Sequence, residues 1–341
     1  MGVRASGAPR VNIKDLVMMT VMGQVAHPLS RASPYRVGHD GVPRVLPGPG
    51  GIVLSHRVGD RCVGLAADHV EAGVSLHNND REVVGQRNGP NLALLTYSCV
   101  GNLARVVTGS CQGKQGTVVG KHGGIDHLIV DFPELVSRRL CIGDRIQVYS
   151  YGLGMRFLDH PEVKILNCSP RLVQSWGLRS DGGKIRVPVT HIVPAAVMGS
   201  GVGQISAVRG DYDMQLFDPE VRKRFKLETL RFGDFVAVLH SDSRFGRAFR
   251  RNSLTIGVII HGDSTLSGHG PGVLALLVGD RSNLEPIWDR KANLAVFLKL
   301  RRPAEPKAFK PLVQVRHFRS AQKRERIFGL EPYPRSSLPF L

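Results

Sequence analysis

The chain has 341 residues, 42 % apolar and 22 % charged, with a formal net charge of +18. That is long enough for two or three domains around a sizeable core, and too polar for a membrane protein, since no run reaches the ~18–20 apolar residues that a membrane span needs. The five cysteines, Cys62, Cys99, Cys111, Cys141 and Cys168, are odd in number, widely spaced and free of any CxxC, which excludes a zinc ribbon and fits reduced thiols in a cytoplasmic protein.

In chain order, residues 1–15 are polar and basic and read as a loose arm. Val17–Val25 reads as a strand or a short helix, ended by His27-Pro28. Residues 31–51 are rich in proline and glycine and read as a connector or a lid. Ile52–Ser55 returns to strand character. Three Gly-Asp pairs, Gly59-Asp60, Gly143-Asp144 and Gly233-Asp234, each lead towards apolar residues and read as architectural turns of barrel or sandwich domains. Asp68, His69 and Glu71 place three ionisable groups within four residues, a pattern that ligates metals or moves protons. On a strand His69 and Glu71 share a face. Residues 77–91 read as a polar loop.

Ala104–Phe132 resembles the KOW motif, a strand-turn-strand of a small SH3-like barrel. The resemblance is carried by Val106-Val107, Gly109, Gly113, Lys114, Gly116 and Val118. Lys121, His122 and Gly123 follow as a candidate anion cradle. Arg171–Trp176 reads as a helix with Ser169 as N-cap and Pro170 at its first position. His191 lies in an apolar stretch between Pro188 and Pro194, as a core residue or a ligand. Gly199–Gly203 lacks the setting of a nucleotide-binding loop. Asp211 and Asp213, at i and i+2, share a face if extended. Asp218–Leu230 reads as the best helix, with Asp218 as N-cap and Pro219 at N1. Arg244–Arg251 combines four arginines with two phenylalanines, which suits RNA or an oligomer contact.

Ile256–Ile260 and Val273–Val278 read as buried strands. Their connection is too long and polar for a plain hairpin. It holds His261, Asp263, Gly268, His269 and Gly270, where glycines let backbone approach a ligand closely. The tail from Lys299 carries 11 Lys/Arg against 3 Asp/Glu and reads as a partly disordered appendage that binds polyanions without sequence preference.

The stretches GQVAHP (23–28), VLPGPGGI (45–52), AADHVEAGVS (66–75), SCVGNLARVVTG (98–109), GKHGGIDHLIVDFP (120–133), VPVTHIVPAAVMGSG (187–201), GDYD (210–213), TIGVIIHGDS (255–264) and GHGPGV (268–273) resemble the domain-of-unknown-function family 4438. The resemblance runs from about residue 14 to residue 298. It implies a mostly β protein with small-barrel character and implies no reaction.

The fold expected is mainly β, α+β with few helices, built from small barrel or sandwich domains of which one is SH3-like. The segments are 1–102 with the Pro/Gly loop, 103–152 as the KOW-like barrel, 153–298 with the GHGPG loop, and 299–341 as the basic tail. Two functions from different classes fit. One is a small-molecule-binding protein or metal-assisted hydrolase with a His/Asp pocket for a small anionic ligand, with a divalent metal as cofactor. Its catalytic candidates are Asp68, His69, His191 and His269; its ligand-binding candidates are Lys121, His122, Gly123, Gly268 and Gly270; its metal candidates are His261, Asp263, Asp211 and Asp213. The other is a nucleic-acid- or ribosome-associated protein acting through its basic surface. Either allows a homo-oligomer. The absence of HExxH and GxSxG removes zincins and α/β-hydrolases. Shared residence of His69, His191 and His269 in one cavity is the sharpest structural expectation.

Overall fold

The computed structural model describes residues 7–30, 35–80 and 89–301. The basic tail, apart from its first three residues, and residues 1–6 of the 1–15 arm lie outside the described residues. Strands take 37 % and helices 13 % of the described residues, so the architecture is mainly β as expected.

Strand β1 (Met19–Val25) is followed by a small ribbon, β2 (Arg36–Val37) with β3 (Pro43–Arg44), and then by β4 (Val74–His77). β5 (Leu103–Val106), β6 (Gln115–His122), β7 (His127–Asp131) and β8 (Arg145–Ser150) complete a closed antiparallel barrel in the order β1-β4-β7-β6-β5-β8. The KOW-like segment therefore supplies three neighbouring strands of a six-stranded barrel whose other members include β1 and β4 from upstream of residue 103. Alternation along β4, β7 and β8 sends Val74, Leu76, Leu128, Val130, Ile146 and Val148 into the barrel, all fully buried. Each such burial contributes about 1.5–3 kcal/mol.

The second half begins with β9 (Lys164–Ile165). A three-stranded sheet orders β10 (Arg179–Asp181), β11 (Lys184–Val189) and β17 (Leu284–Trp288). The main sheet orders β12 (His191–Pro194), β14 (Phe235–Asp242), β15 (Ala248–His261), β16 (Gly272–Asp280) and β13 (Tyr212–Asp213), with β9 paired on β16. The apolar runs 256–260 and 273–278 are the centres of β15 and β16, antiparallel neighbours with Ile256 opposite Leu277.

The helices are short: α1 (Gly89–Tyr97), α2 (Glu134–Ser137), α3 (Pro170–Ser175), α4 (Pro219–Arg224) and α5 (Leu294–Phe297). α3 starts as expected, with the Ser169 hydroxyl accepting from Leu172 N–H, a cap worth about 1 kcal/mol. The 218–230 helix is corrected. Asp218 caps α4 through Glu220 and Val221 N–H, but Lys226 adopts φ +55° and the chain continues as one 3-10 turn, Leu227–Thr229. α1 corrects the polar-loop reading at its C-terminal edge and is the longest helix among the described residues.

The three Gly-Asp turns share one geometry. Each glycine has positive φ, and each Asp carboxylate accepts the N–H three residues earlier: Asp60 from Arg57, Asp144 from Cys141 and Asp234 from Arg231. They are architectural, as read. All five cysteines are free thiols, four of them buried. No described helix is long and apolar enough to cross a membrane.

Barrel and main sheet meet where β6 crosses β15. A Cβ at Gly120 would stand 2.6 Å from Ile260 Cβ, so only glycine lets the strands approach this closely. That contact brings the end of β6, at His122, against the end of β15, at His261. Both strands carry a register shift just before these residues, at Val118/Gly120 and at Ile259/His261. Bulges of this kind re-aim side chains beside functional sites.

Candidate metal centre

The loop before β4 carries Asp68, His69 and Glu71. His69 has φ +56°, so the chain turns there instead of extending. Its N–H donates to Asp263 O (3.0 Å), and Glu71 bridges to His261, tying this loop to the main sheet. His69 and Glu71 thus face different groups, which corrects the shared-face expectation.

Two three-residue sets gather at the junction of barrel and sheet, each with ligand atoms within 4.8 Å of one another: His69, Asp213 and His269, and His122, Asp211 and His261. In the first, His69 Nε2 lies 3.0 Å from His269 Nδ1 and 3.3 Å from Asp213 Oδ2, and His269 Nδ1 lies 2.9 Å from Asp213 Oδ2. Tetrahedral ligands at the usual metal distances stand about 3.4 Å apart. In the second, Asp211 Oδ2 lies 2.8 Å from His261 Nε2, off the direction of an N–H, and both buried atoms lack a directional hydrogen bond. The His122 and His261 rings stack at 4.1 Å, and His69 lies 5.0 Å from His261, so the sets adjoin. Asp213 joins them, with Oδ1 3.4 Å from His261 Nε2 while Oδ2 serves the first set.

Tautomers follow from the partners. His69 Nδ1 donates to Asp68 Oδ1 (2.7 Å), His122 Nδ1 to Glu71 Oε1 (2.6 Å), and His261 Nδ1 to the Gly262 carbonyl (2.9 Å). These acceptors hold the protons on Nδ1 of the neutral rings and leave Nε2 as a lone pair. Carboxylate or carbonyl behind imidazole is the arrangement that orients metal-binding histidines. Asp68 also accepts from Ser264 Oγ (2.7 Å) and Arg36 Nη1 (2.8 Å). Burial would raise its pKa, yet the His69 and Ser264 hydrogen bonds and the Arg36 charge hold it at about 2. Glu71 is fully buried and accepts from His122, His127 Nδ1 (3.1 Å), Gly50 N–H (3.0 Å) and Ser75 Oγ. Despite burial its carboxyl is held well below the usual range by His122 and His127.

His69 and His261 are both more basic than an ordinary imidazole. Burial opposes the charge, but Asp213 and Asp68 on His69, and Asp211 and Asp213 on His261, outweigh it. His122 goes the other way, lowered by burial and by His261.

The first set opens on a cleft of about 1190 Å³ lined by His69, His122, Asp211, Asp213 and His269. His269 is one-third exposed, whereas the His261 side chain is wholly buried beneath it. Space for the inner set depends on Gly272, where a Cβ would overlap both Asp211 Oδ2 and His261 Nε2. If a cation lies between those two atoms, Gly272→Ala is expected to exclude it, leaving at most one bound ion per chain by elemental analysis. Two ions in that variant would contradict the assignment.

Among the other candidates, Gly123 N–H donates to Asp211 Oδ1 (2.8 Å) and aims its second oxygen. Gly268, at φ +76°, accepts from Ser200 N–H (2.6 Å), and Gly270 packs on the Met214 carbonyl; both shape the His269 loop. Three expectations are corrected. Lys121 points away from His122 along β6, fully buried, with Nζ donating to Asn167 Oδ1 and Val208 O (both 2.8 Å); burial brings its pKa to about 8, and it braces the loop leading to Asp211. Asp263 has both oxygens taken by Gly64 and Ser264 N–H groups and belongs to neither set. His191 is absent from both sets; its ring bonds Thr190 Oγ1, Thr229 Oγ1 and Lys226 O, and burial lowers its pKa to about 4. The three-histidine cavity thus reduces to His69 with His269. His127, absent from the sequence candidates, matters through Glu71, which the sequence singles out beside Asp68 and His69 and which the structure places behind His122 and His127.

Arg244–Arg251 is largely spent on internal contacts. Arg244 and Arg250 pair with Asp242, and Arg247 is buried under the Gly201 and Gly210 carbonyls.

Two family descriptions match in tandem: "Domain of unknown function (DUF4438), N-terminal" over residues 35–174 and "Domain of unknown function (DUF4438), C-terminal" over residues 175–298. A solved structure titled "Crystal structure of TM1086" is 39 % identical with a TM-score of 0.79, covering 85 % of this chain and 99 % of its own. No curated protein matches.

Proposed function

The chain belongs to the DUF4438 family, and we propose that this member is a hydrolase whose nucleophile is a water activated by two divalent cations. The observation that carries this reading is the convergence of three imidazole Nε2 lone pairs, each fixed by an acceptor behind it, on Asp211 and Asp213. Lone pairs facing carboxylates repel unless a proton or a cation lies between them. The orphaned Asp211 Oδ2 and His261 Nε2 are the clearest instance.

His69, Asp213 and His269 would hold the outer ion, and His122, Asp211 and His261 the inner one. Mixed imidazole and carboxylate donors suit zinc, manganese or iron better than calcium or magnesium. The outer ion would have three protein ligands and face the cleft, the pattern of an open, catalytic position. Such an ion lowers the pKa of bound water to about 7 and polarises a substrate oxygen. The protein's part is orientation: Asp68 holds His69, Glu71 holds His122, and Gly123 holds Asp211.

The test is elemental analysis and equilibrium dialysis of the purified protein with zinc and manganese. Two equivalents are expected. His69→Ala and His269→Ala should each lower outer-site affinity by more than about 100-fold while the melting temperature of the metal-free protein stays near native. Wild-type protein without affinity for either ion would end the proposal. Large destabilisation of both variants in the absence of metal would favour a packing role instead.

Protons compete with the ions. Metal must displace protons from the unusually basic His69 and His261, so affinity should rise with pH and binding should release about one to two protons. Calorimetry in buffers of different ionisation heat measures this. An affinity that is flat between about pH 6 and pH 8 would contradict it.

A further inference from the structure

Four arginines line the cleft above the metal sets, and they are not equivalent. Arg36 is neutralised by Asp68, and Arg44 by Asp40. Arg247 is buried, with Nη1 donating to the Gly201 carbonyl and Nη2 to the Gly210 carbonyl. Arg209 is exposed, lines the same cleft and makes no ion pair or side-chain hydrogen bond among the described residues. It is two residues from Asp211, on the loop whose Gly210 packs against Gly123. The cleft's remaining acid outside the metal sets is Asp126.

The rim is apolar. Leu29, Tyr35, Val45, Leu54 and Ile205 are exposed large side chains, and all of them line this cleft. At about 1190 Å³ the space exceeds what a lone inorganic anion fills and is somewhat larger than the usual range for a drug-sized ligand. Charge then depends on occupancy. Two divalent cations held by Asp211 and Asp213 would add positive charge to the floor, next to Arg209, whose guanidinium makes no ion pair among the described residues.

We infer that the substrate is an organic phosphoester, its phosphoryl group seated between the outer cation and Arg209 and its organic group lying along the apolar rim. This rests on the two-ion reading above. A guanidinium and paired cations suit the several oxygens of a phosphoryl group, and two cations clamp both the attacking and the leaving oxygen of an in-line displacement. Water's oxygen forms a bond to phosphorus, the phosphorus–oxygen bond to the organic group breaks, and the proton that water gives up ends on the departing alkoxide, so that the products are the alcohol and a phosphate with one ester bond fewer. Neither oxidant nor reductant is needed. A peptide or neutral ester leaves Arg209 without a role.

The test uses the full chain loaded with manganese or zinc. Inorganic phosphate should bind the loaded protein and not the metal-free one, and p-nitrophenyl phosphate or bis-p-nitrophenyl phosphate should be cleaved in preference to p-nitrophenyl acetate. Arg209→Ala should raise KM for the phosphoester about tenfold with a smaller change in kcat and no change in metal content, and Arg209→Lys should recover part of the loss. Retained metal with cleavage of the acetate alone, or a KM untouched by Arg209→Ala, would overturn the phosphoester assignment and leave the metal centre standing. Failure of the wild type to bind metal would remove both.

Discussion

Asp213→Ala is expected to release both cations and to lower metal-dependent turnover by on the order of 10³-fold or more. Among the described residues no other single side chain serves both sets: Oδ2 meets His69 and His269, and Oδ1 meets His261. Losing one outer partner of a metal ligand costs about 10–100-fold in affinity, and losing a shared ligand should exceed that at each site. The conservative control is Asp213→Asn, which keeps the shape and removes the charge. It should also lose metal, while the metal-free protein keeps its fold by near-ultraviolet circular dichroism. Retention of two ions by either variant would show that Asp213 does not join the sets.

Glu71 should matter for a different reason. Glu71→Ala strands the His122, His127, Gly50 and Ser75 donors in a fully buried place. Stranded buried donors cost about 1–3 kcal/mol each, offset in part by no longer burying the Glu71 carboxylate. A destabilisation of roughly 3–5 kcal/mol is expected in denaturant melts, together with loss of the inner ion. Glu71→Gln separates the two effects. Its amide can donate to His122 Nδ1, which moves the ring proton to Nε2 and blocks the ligand lone pair. That variant should fold better than Glu71→Ala yet still bind the inner ion weakly. Inner-site affinity unchanged in Glu71→Gln would mean that this carboxylate only packs.

Much of this was legible before the structure, for local reasons. Apolar runs of strand length gave β15 and β16, and a serine or aspartate followed by proline gave the starts of α3 and α4. Histidines and acids beside glycine, proline or strand ends singled out His69, His122, Asp211, Asp213, His261 and His269. What failed depended on distant pairing or on one dihedral. β1 closes the barrel on β8, over a hundred residues away, and nothing local in either strand names its partner. Lys226 at φ +55° ends a helix that composition would continue. His69 in the same left-handed region separates it from Glu71, so the strand-face argument sent both to one place. His191 has the same neighbours in sequence as a ligand would, and only the Thr229 and Lys226 contacts show it to be a fastening of β12.

The family boundary falls after residue 174, and it runs between the ligands of each ion. His69 and His122 come from the first half; Asp211, Asp213, His261 and His269 come from the second. Neither half alone owns three donors of a set containing an imidazole from the barrel loop or from β6. An ion bound here would therefore act as a clasp, adding to the cohesion of the two halves by an amount set by its free concentration relative to its dissociation constant. Scarcity of metal would be felt as looseness between the halves as well as lost chemistry, and a copy of either half inherited without the other would carry only part of each ligand set.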